Sequence, residues 1–159
     1  MTTAIIKLTK NKKAIIDQED FEKVNQYKWC FDGRYAVRTQ YIKKTRKGKR
    51  IYMHRLIFNS LKDMNIDHIN GNKLDNRKNN LRFCNQQGNS ANMDKHGKYK
   101  YKGITLCTDW NRKKKWGAQI SIKRKNMHLG RYLTPEEAAL AYNIAAIKYF
   151  GEFARLNKI

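Results

Sequence analysis

The chain is poor in cysteine, proline, acidic residues and long apolar runs, and each shortage removes a class of protein. Cys30, Cys84 and Cys107 are odd in number and far apart. No C-x-x-C pair occurs, so neither a disulfide framework nor a recognisable zinc site is expected, and the three read as small apolar residues of a reducing compartment. No run approaches the roughly 18 apolar residues of a membrane span, and the N-terminus has no signal-peptide core. Together these predict a protein of the cytosol or nucleoid and not of a membrane. Acidic residues number 13 against 35 Lys and Arg, so the formal charge is 35 − 13 = +22. Basic side chains displace the counterions condensed on nucleic acid, and self-repulsion of this size opposes compaction, which makes a polyanion the default partner. The charge does not distinguish DNA from RNA.

The 159 residues allow one medium domain or two small ones. From Ala4 to about Arg50 the short alternating stretches "AIIKLT", "KAIID", "YKWCFD" and "RYAVRTQYI" read as strands, with one helical turn in "QEDFEKVNQ". Asp17, Glu19, Asp20, Glu22 and Asp32 make this the least cationic end, a β-rich platform over residues 1–50. The run "KKTRKGKR" predicts a hairpin tip around Gly48, with Lys43, Lys44, Arg46 and Lys47 as candidates for backbone contact with DNA or as a solvated turn. "IYMHRLIFNSL" has the spacing of a short helix burying Met53, Leu56, Ile57 and Leu61, and His54 within it reads as a packed structural residue.

The stretch "NIDHINGNKLDNRKNNLRFCNQQGNSANM" concentrates an Asp-His pair and spaced asparagines. "NGN" suits a turn, "NLRFC" supplies a second strand, and Asn85 can cap a short helix running through Asn89 and Asn92. Glycine in a helix costs about 1 kcal/mol relative to alanine, so Gly88 predicts a later helix start or a bend. Asp67 offers a carboxylate oxygen and Asn89 an amide oxygen, both suited to Mg²⁺ or Mn²⁺. His68 is the nearby group whose ordinary pKa, about 6.5, suits a general base near neutrality. Neighbouring strand residues face opposite ways, so Asp67 and His68 reach one centre only through strong twist or a bulge. Arg77 and Arg82 are candidate phosphate contacts.

Asp67-His68, the loop "INGNKLDNRKNNLRF" and "NSAN" resemble the HNH endonucleases, in the phage and intron-encoded homing type whose third motif residue is Asn. The likeness runs from "IYMHRLI" to Met93. It implies a ββα-metal nuclease module over residues 51–94, with His68 matching the general base and Asp67 and Asn89 the ligands of one divalent ion, Mg²⁺ or Mn²⁺. Asn80 then matches the middle asparagine that stabilises the loop. Asn92, three residues beyond Asn89 on the same helix face, is the alternative ligand.

From Tyr99 the pieces "YKGITL", "WGAQISI" and "NMHLGRY" read as three strands separated by the basic turns "TDWNRKKK" and "KRKN". In "TPEEAALAYNIAAIKYFG" Thr134 can cap, Pro135 (the one proline of the chain) suits the first helical position, Glu137 completes a capping box and Gly151 can end the helix. "DKHGKYK", Asp94 to Lys100, reads as a linker. Along "WGAQISIK" Trp116, Ala118, Ile120 and Ile122 share one face and can pack on the alanine-rich helix, which leaves Gln119, Ser121 and Lys123 on a polar face. Basic turns carrying Lys113, Lys114, Lys123 and Arg124 border it. "YKGI", "WGAQI" and "HLGRYLTPEEAALAYNIAAIKYFGEFARLN" resemble the ethylene-response-factor (APETALA-type) DNA-binding domain, which implies a DNA-reading domain over residues 99–159. Lys102, Thr105, Gln119, Ser121 and His128 match its DNA-facing positions; several are Arg or Trp in the plant proteins, so the plant target is not inherited.

The fold expected is α+β: a β-rich platform, a ββα-metal nuclease core, and a three-stranded antiparallel sheet packed on one helix. The function expected is metal-dependent, site-directed cleavage of double-stranded DNA by a monomer. The alternatives are a sequence-specific DNA-binding protein with a degenerate nuclease module, and an RNA-binding or ribosome-associated protein.

Overall fold

The computed structural model describes residues 2–44, 46–59, 64–93, 98–108 and 113–159. It is α+β, with small antiparallel sheets and a C-terminal helix packed on one of them. The chain divides into two compact units, Met1–Cys84 and Asn85–Ile159.

In the first unit β1 (Thr3–Lys7) and β2 (Lys13–Asp17) form a hairpin, paired from Thr3↔Asp17 to Lys7↔Lys13. Alternation puts Ala4 and Ile6 inside and Thr3, Ile5 and Lys7 outside. A 3-10 turn (Gln18–Asp20) and α1 (Phe21–Asn25) supply the helical turn expected of "QEDFEKVNQ". β3 (Cys30–Phe31), β4 (Ala36–Ile42) and β5 (Lys47–Tyr52) follow as a second sheet in that order. Gly48 is not at the hairpin tip but inside β5, opposite Tyr41. The last pair is Ile42↔Lys47, so the chain reverses through Lys43, Lys44 and Arg46, which takes φ +50°. Glycine suggested the turn, but pairing register decided it.

α2 (Met53–Ile57) buries Met53 and Ile57 and half-buries Leu56; Leu61 lies outside the described residues. β6 (Asn65–His68) pairs with β7 (Leu81–Cys84) from Asn65↔Cys84 to His68↔Leu81 without a shift in register. Ile6, Ile16, Val24, Trp29, Met53, Ile57 and Leu81 belong to one core, and each large apolar side chain buried there is worth roughly 1.5–3 kcal/mol. The β6–β7 connection is tied to the platform through its backbone: Ile15 N–H donates to the Leu74 carbonyl (2.9 Å) and Asn76 N–H to the Ile15 carbonyl (2.8 Å).

The second unit begins with α3 (Gln86–Ala91), where the Asn85 side chain accepts from Gly88 N–H at 2.7 Å. The helix starts at Gln86 and passes through Gly88, so of the two outcomes expected, a later start or a bend, the later start does not occur. A Cβ built at Gly88 would lie 2.9 Å from Cδ1 of Phe153, so the glycine is the residue that admits the ring. β8 (Ile104–Leu106), β9 (Trp116–Ile122) and β10 (Lys125–Tyr132) form a sheet in the order β10-β9-β8, and α4 (Pro135–Phe150) packs on it. Ala138, Ala139, Ala145 and Ala146 are buried beside Ala118 and Ile120. Their small side chains let helix and sheet approach. Thr134 Oγ1 accepts from Glu137 N–H at 3.2 Å, while the Glu137 carboxylate accepts from Leu133 N–H, one residue before the cap. Residues 94–97 of the expected linker and 109–112 of the "TDWNRKKK" turn lie outside the described residues.

Candidate active site and nucleic-acid face

β6 brings Asp67 and His68 into the interior of the first unit, at 1% and 0% exposure. The two have different partners, as alternation requires. Asp67 Oδ2 accepts from Arg82, its cross-strand neighbour, at 3.1 Å from Nη2 and 3.3 Å from Nε, and Lys73 Nζ stands 3.6 Å from Oδ1. The sheet has no bulge here. His68 is the last residue of β6, so the chain turns immediately beyond it, with Gly71 N–H donating to the His68 carbonyl.

His68 lies in a cluster of rings. His54 packs edge-on to it with centroids 5.2 Å apart, Tyr35 is 6.2 Å away, and Tyr35 and Tyr52 flank His54 at 5.3 and 5.5 Å. His68 Nε2 is 3.3 Å from Asn76 Oδ1. The Asn76 amide nitrogen faces the Leu74 carbonyl and the Met53 sulfur, which assigns Oδ1 as the acceptor towards the imidazole. The neutral ring then donates from Nε2 and carries its lone pair on Nδ1. Burial, aided by the Lys73 charge, holds the His68 pKa down to about 4 against the Asn76 bond and the Asp67 and Asp75 carboxylates, which favour the proton. Burial likewise pushes His54 down to about 3, with His68, Arg55 and Lys73 adding to the effect. Both rings are neutral at pH 7. Burial also lowers Lys73, while Asp67 opposes that shift.

The loop between β6 and β7 is braced from within. Asn80 Oδ1 accepts from Asn70 N–H at 2.9 Å and its amide nitrogen donates to the Asp75 carbonyl at 2.8 Å, while Ile69 N–H donates to the Asn80 carbonyl. Arg77 grips Asp75 with two bonds, Nε to Oδ1 at 2.8 Å and Nη2 to Oδ2 at 2.7 Å, and Asn70 donates to the same carboxylate. The Arg77 contact, more than any other, holds the Asp75 carboxyl below its ordinary range. Lys78 donates from its backbone to Asp17 and from its ammonium to Glu19, with Asp20 at 3.2 Å. The acidic residues of the platform thus anchor the basic loop.

Asp67, His68 and Asn80 therefore share one unit, and Asn89 belongs to the other, half-buried in the middle of α3. Asn92 is the buried C-terminal cap of that helix. Among the described residues no group of three His, Cys, Asp or Glu is arranged to hold a metal ion. Among the described residues no helix is long and apolar enough to cross a membrane. Asn76, Lys73, Tyr35 and His54 line the surroundings of His68 although the sequence motif did not single out the first three and offered His54 as packing alone. A loop asparagine and a half-buried lysine give no periodic signal.

A protein named as an uncharacterized HNH endonuclease from Acanthamoeba polyphaga mimivirus is 32% identical over 152 residues, which covers 92% of this chain and 75% of that protein. The chain belongs to the HNH endonuclease family. No family model matches it. HNH endonucleases generally use a divalent metal.

In this HNH endonuclease the candidate nucleic-acid contacts fall in several places. Lys43, Lys44, Arg46 and Lys47 are exposed at the β4–β5 reversal. Arg77 and Arg82 are engaged with Asp75 and Asp67. On the three-stranded sheet Gln119 and Ser121 are exposed, and Gln119 stands opposite His128, also exposed. Thr105 is exposed on β8, as are Lys113 and Lys114 before β9. Lys123 and Arg124 form the β9–β10 turn with φ +49° and +65°. Lys102 is different: its ammonium donates to the Ala91 and Met93 carbonyls.

Proposed function

We propose that the chain is a metal-dependent DNA endonuclease of the homing type, in which His68 is the general base for phosphodiester hydrolysis. The observation that carries this reading is the state of His68: an imidazole wholly buried, neutral at pH 7, oriented by Asn76 and adjacent to Asp67 at the end of a strand. A neutral imidazole oriented by Asn76 is in the protonation state that taking a proton from an attacking water requires. Asn80 keeps the loop beyond His68 in one conformation, so the base is positioned before substrate arrives.

The donors fit a hard, oxygen-seeking divalent ion, Mg²⁺ or Mn²⁺, that keeps most of its waters, since they amount to one carboxylate and one amide. Asp67 already lies in cationic company, with Lys73 and Arg82 beside it, so a cation there replaces positive partners. The HNH resemblance alone implies Asp67 and Asn89 as the residues that would hold the ion. When bound, it supplies charge stabilisation for the phosphoryl and leaving oxygens. The protein's own residues do the rest: His68 takes the proton, Asn76 fixes its tautomer, and Arg82 and Lys73 hold Asp67.

DNA is the substrate that the family favours, and the charge of +22 suits a polyanion. The exposed Gln119, Ser121 and His128, bordered by Lys113, Lys114, Lys123 and Arg124, form the reading face, in keeping with the ethylene-response-factor resemblance. The test is supercoiled plasmid incubated with wild-type and His68→Ala protein in Mg²⁺, in Mn²⁺ and in EDTA. Metal-dependent nicking or linearisation by wild type, lost in the variant, is the expected result. Equal cleavage by both proteins would remove His68 from the mechanism; binding without cleavage by either would leave a DNA-binding protein.

A further inference from the structure

α3 is six residues long, too short to hold itself in water, and its sequence of Gln, Gln, Gly, Asn, Ser and Ala gives it little propensity. The rest of the second unit holds it. Gly88 lies against the Phe153 ring and Ala91 is buried. At the other end Lys102 Nζ donates to the Ala91 carbonyl at 2.6 Å and to the Met93 carbonyl at 2.7 Å. The ammonium satisfies carbonyls that a helix C-terminus leaves open and places a positive charge at the negative end of the helix dipole.

Lys102 is itself pinned. Its N–H donates to Asn157 Oδ1 at 2.6 Å, and its carbonyl accepts from Asn157 Nδ2 at 3.0 Å. Asn157 exchanges two further bonds with Asn143 of α4, at 2.7 and 3.0 Å. The next residue, Gly103, takes φ +76°, and a Cβ there would lie 2.0 Å from the Tyr142 ring. Its carbonyl accepts from the backbone N–H of Gln119 in β9 at 2.8 Å. A continuous path therefore joins the exposed face of the sheet, through Gly103 and Lys102, to the end of the helix that carries Asn89.

We infer that Lys102 is a positioning residue for Asn89, and that the C-terminal sheet and helix serve as the mount for the metal-ligand helix as well as the reading surface. This rests on the reading of Asn89 as a metal ligand. The ethylene-response-factor pattern places Lys102 among DNA-facing positions, whereas its ammonium is spent on α3 here. Cleavage then depends on Lys102 through metal use, and DNA affinity depends on it little.

The experiment uses the full chain with Lys102→Met, Lys102→Arg and Asn89→Ala. Plasmid cleavage is measured against Mg²⁺ concentration, and binding of a fluorescent mixed-sequence duplex is measured in EDTA. Lys102→Met is expected to raise the Mg²⁺ concentration for half-maximal cleavage about tenfold or more, with duplex affinity within about twofold of wild type. Lys102→Arg restores most of the loss, because a guanidinium can serve both carbonyls, and Lys102→Met adds nothing further in an Asn89→Ala background. A weaker duplex affinity with unchanged Mg²⁺ dependence overturns the inference and makes Lys102 a phosphate contact. Loss on Asn89→Ala without loss on Lys102→Met overturns the inference alone; wild-type cleavage by Asn89→Ala overturns the ligand reading with it. Amide exchange on the unaltered protein gives an answer even if Lys102→Met fails to fold. Protection of the Asn89 and Asn92 amides comparable to that of α4 supports the mount, and open-chain exchange there overturns it.

Discussion

The two compact units treat their polar groups in opposite ways. Of the nine buried polar or charged residues other than tyrosine among those described, eight belong to the first unit and one, Asn92, to the second. The first encloses His54, Asp67, His68, Asp75, Asn76 and Asn80 in a network of fixed geometry, while the second keeps an alanine-rich interior and exposes Gln119, Ser121, Lys123 and Arg124. The contrast suits the two kinds of work proposed for the chain. Bond-breaking gains from groups already desolvated and aimed, because their fields are strong and need no reorganisation. Holding a polyanion gains from mobile, hydrated cations whose contribution is the release of counterions. One chain can do both only by separating them.

The contrast is broken most sharply by His68→Ala. Cleavage is expected to fall by about 10³-fold, with duplex affinity little changed, since one base of this kind contributes roughly 10²–10⁴-fold; single-turnover cleavage beside a binding titration measures both.

Acid should distinguish the units next. His54 and His68 favour the neutral form when folded, with pKa values of about 3 and about 4 against the ordinary 6.5. Their stabilising contribution is fully present above pH 6.5 and is lost as pH falls towards 3, where the unfolded chain binds the extra protons. The loss is on the order of several kcal/mol, so fluorescence of Trp29 should report unfolding before probes in the second unit do, in a melt series from pH 7 to pH 4.

In the second unit, the reversed trade is expected at the β9–β10 turn. Lys123 and Arg124 occupy positive φ, which asparagine and glycine adopt far more readily. The double change Lys123→Asn, Arg124→Gly should raise stability by about 1 kcal/mol or more while lowering the salt slope of duplex binding by about 2. Urea unfolding and a salt titration read the two effects, and unchanged binding would remove the turn from the DNA face. The smallest effect belongs to Thr134→Ala, which removes the cap of α4 and should cost about 1 kcal/mol without altering cleavage at saturating substrate, seen in the melting midpoint.

Local patterns carried much of the fold. Alternation in "WGAQISI", the Thr134–Pro135–Glu137 start of α4 and the Asn85 cap were readable because each depends on neighbours a few residues apart. Gly48 misled because a glycine fits a turn and a strand alike, and the partner strand chose between them. Gly88 was read as a cost because its reason, Phe153, lies 65 positions further along the chain.

For the site, Asp67, His68, Asn80 and Asn89 were singled out by their resemblance to the HNH pattern, and the family is what the sequence made legible. Their environments were not. That Asn76 orients His68, that His54 and Tyr35 desolvate it, that Arg82 and Lys73 hold Asp67 and that Lys102 secures α3 all come from residues brought together by folding. Sequence alone determined the charge, the elements and the candidate donors, because these follow from composition and short-range periodicity. Tertiary structure decided which imidazole is buried, which nitrogen bears its proton and which cations are spent inside, because desolvation and hydrogen bonding depend on what packs around a group rather than on its neighbours in the chain.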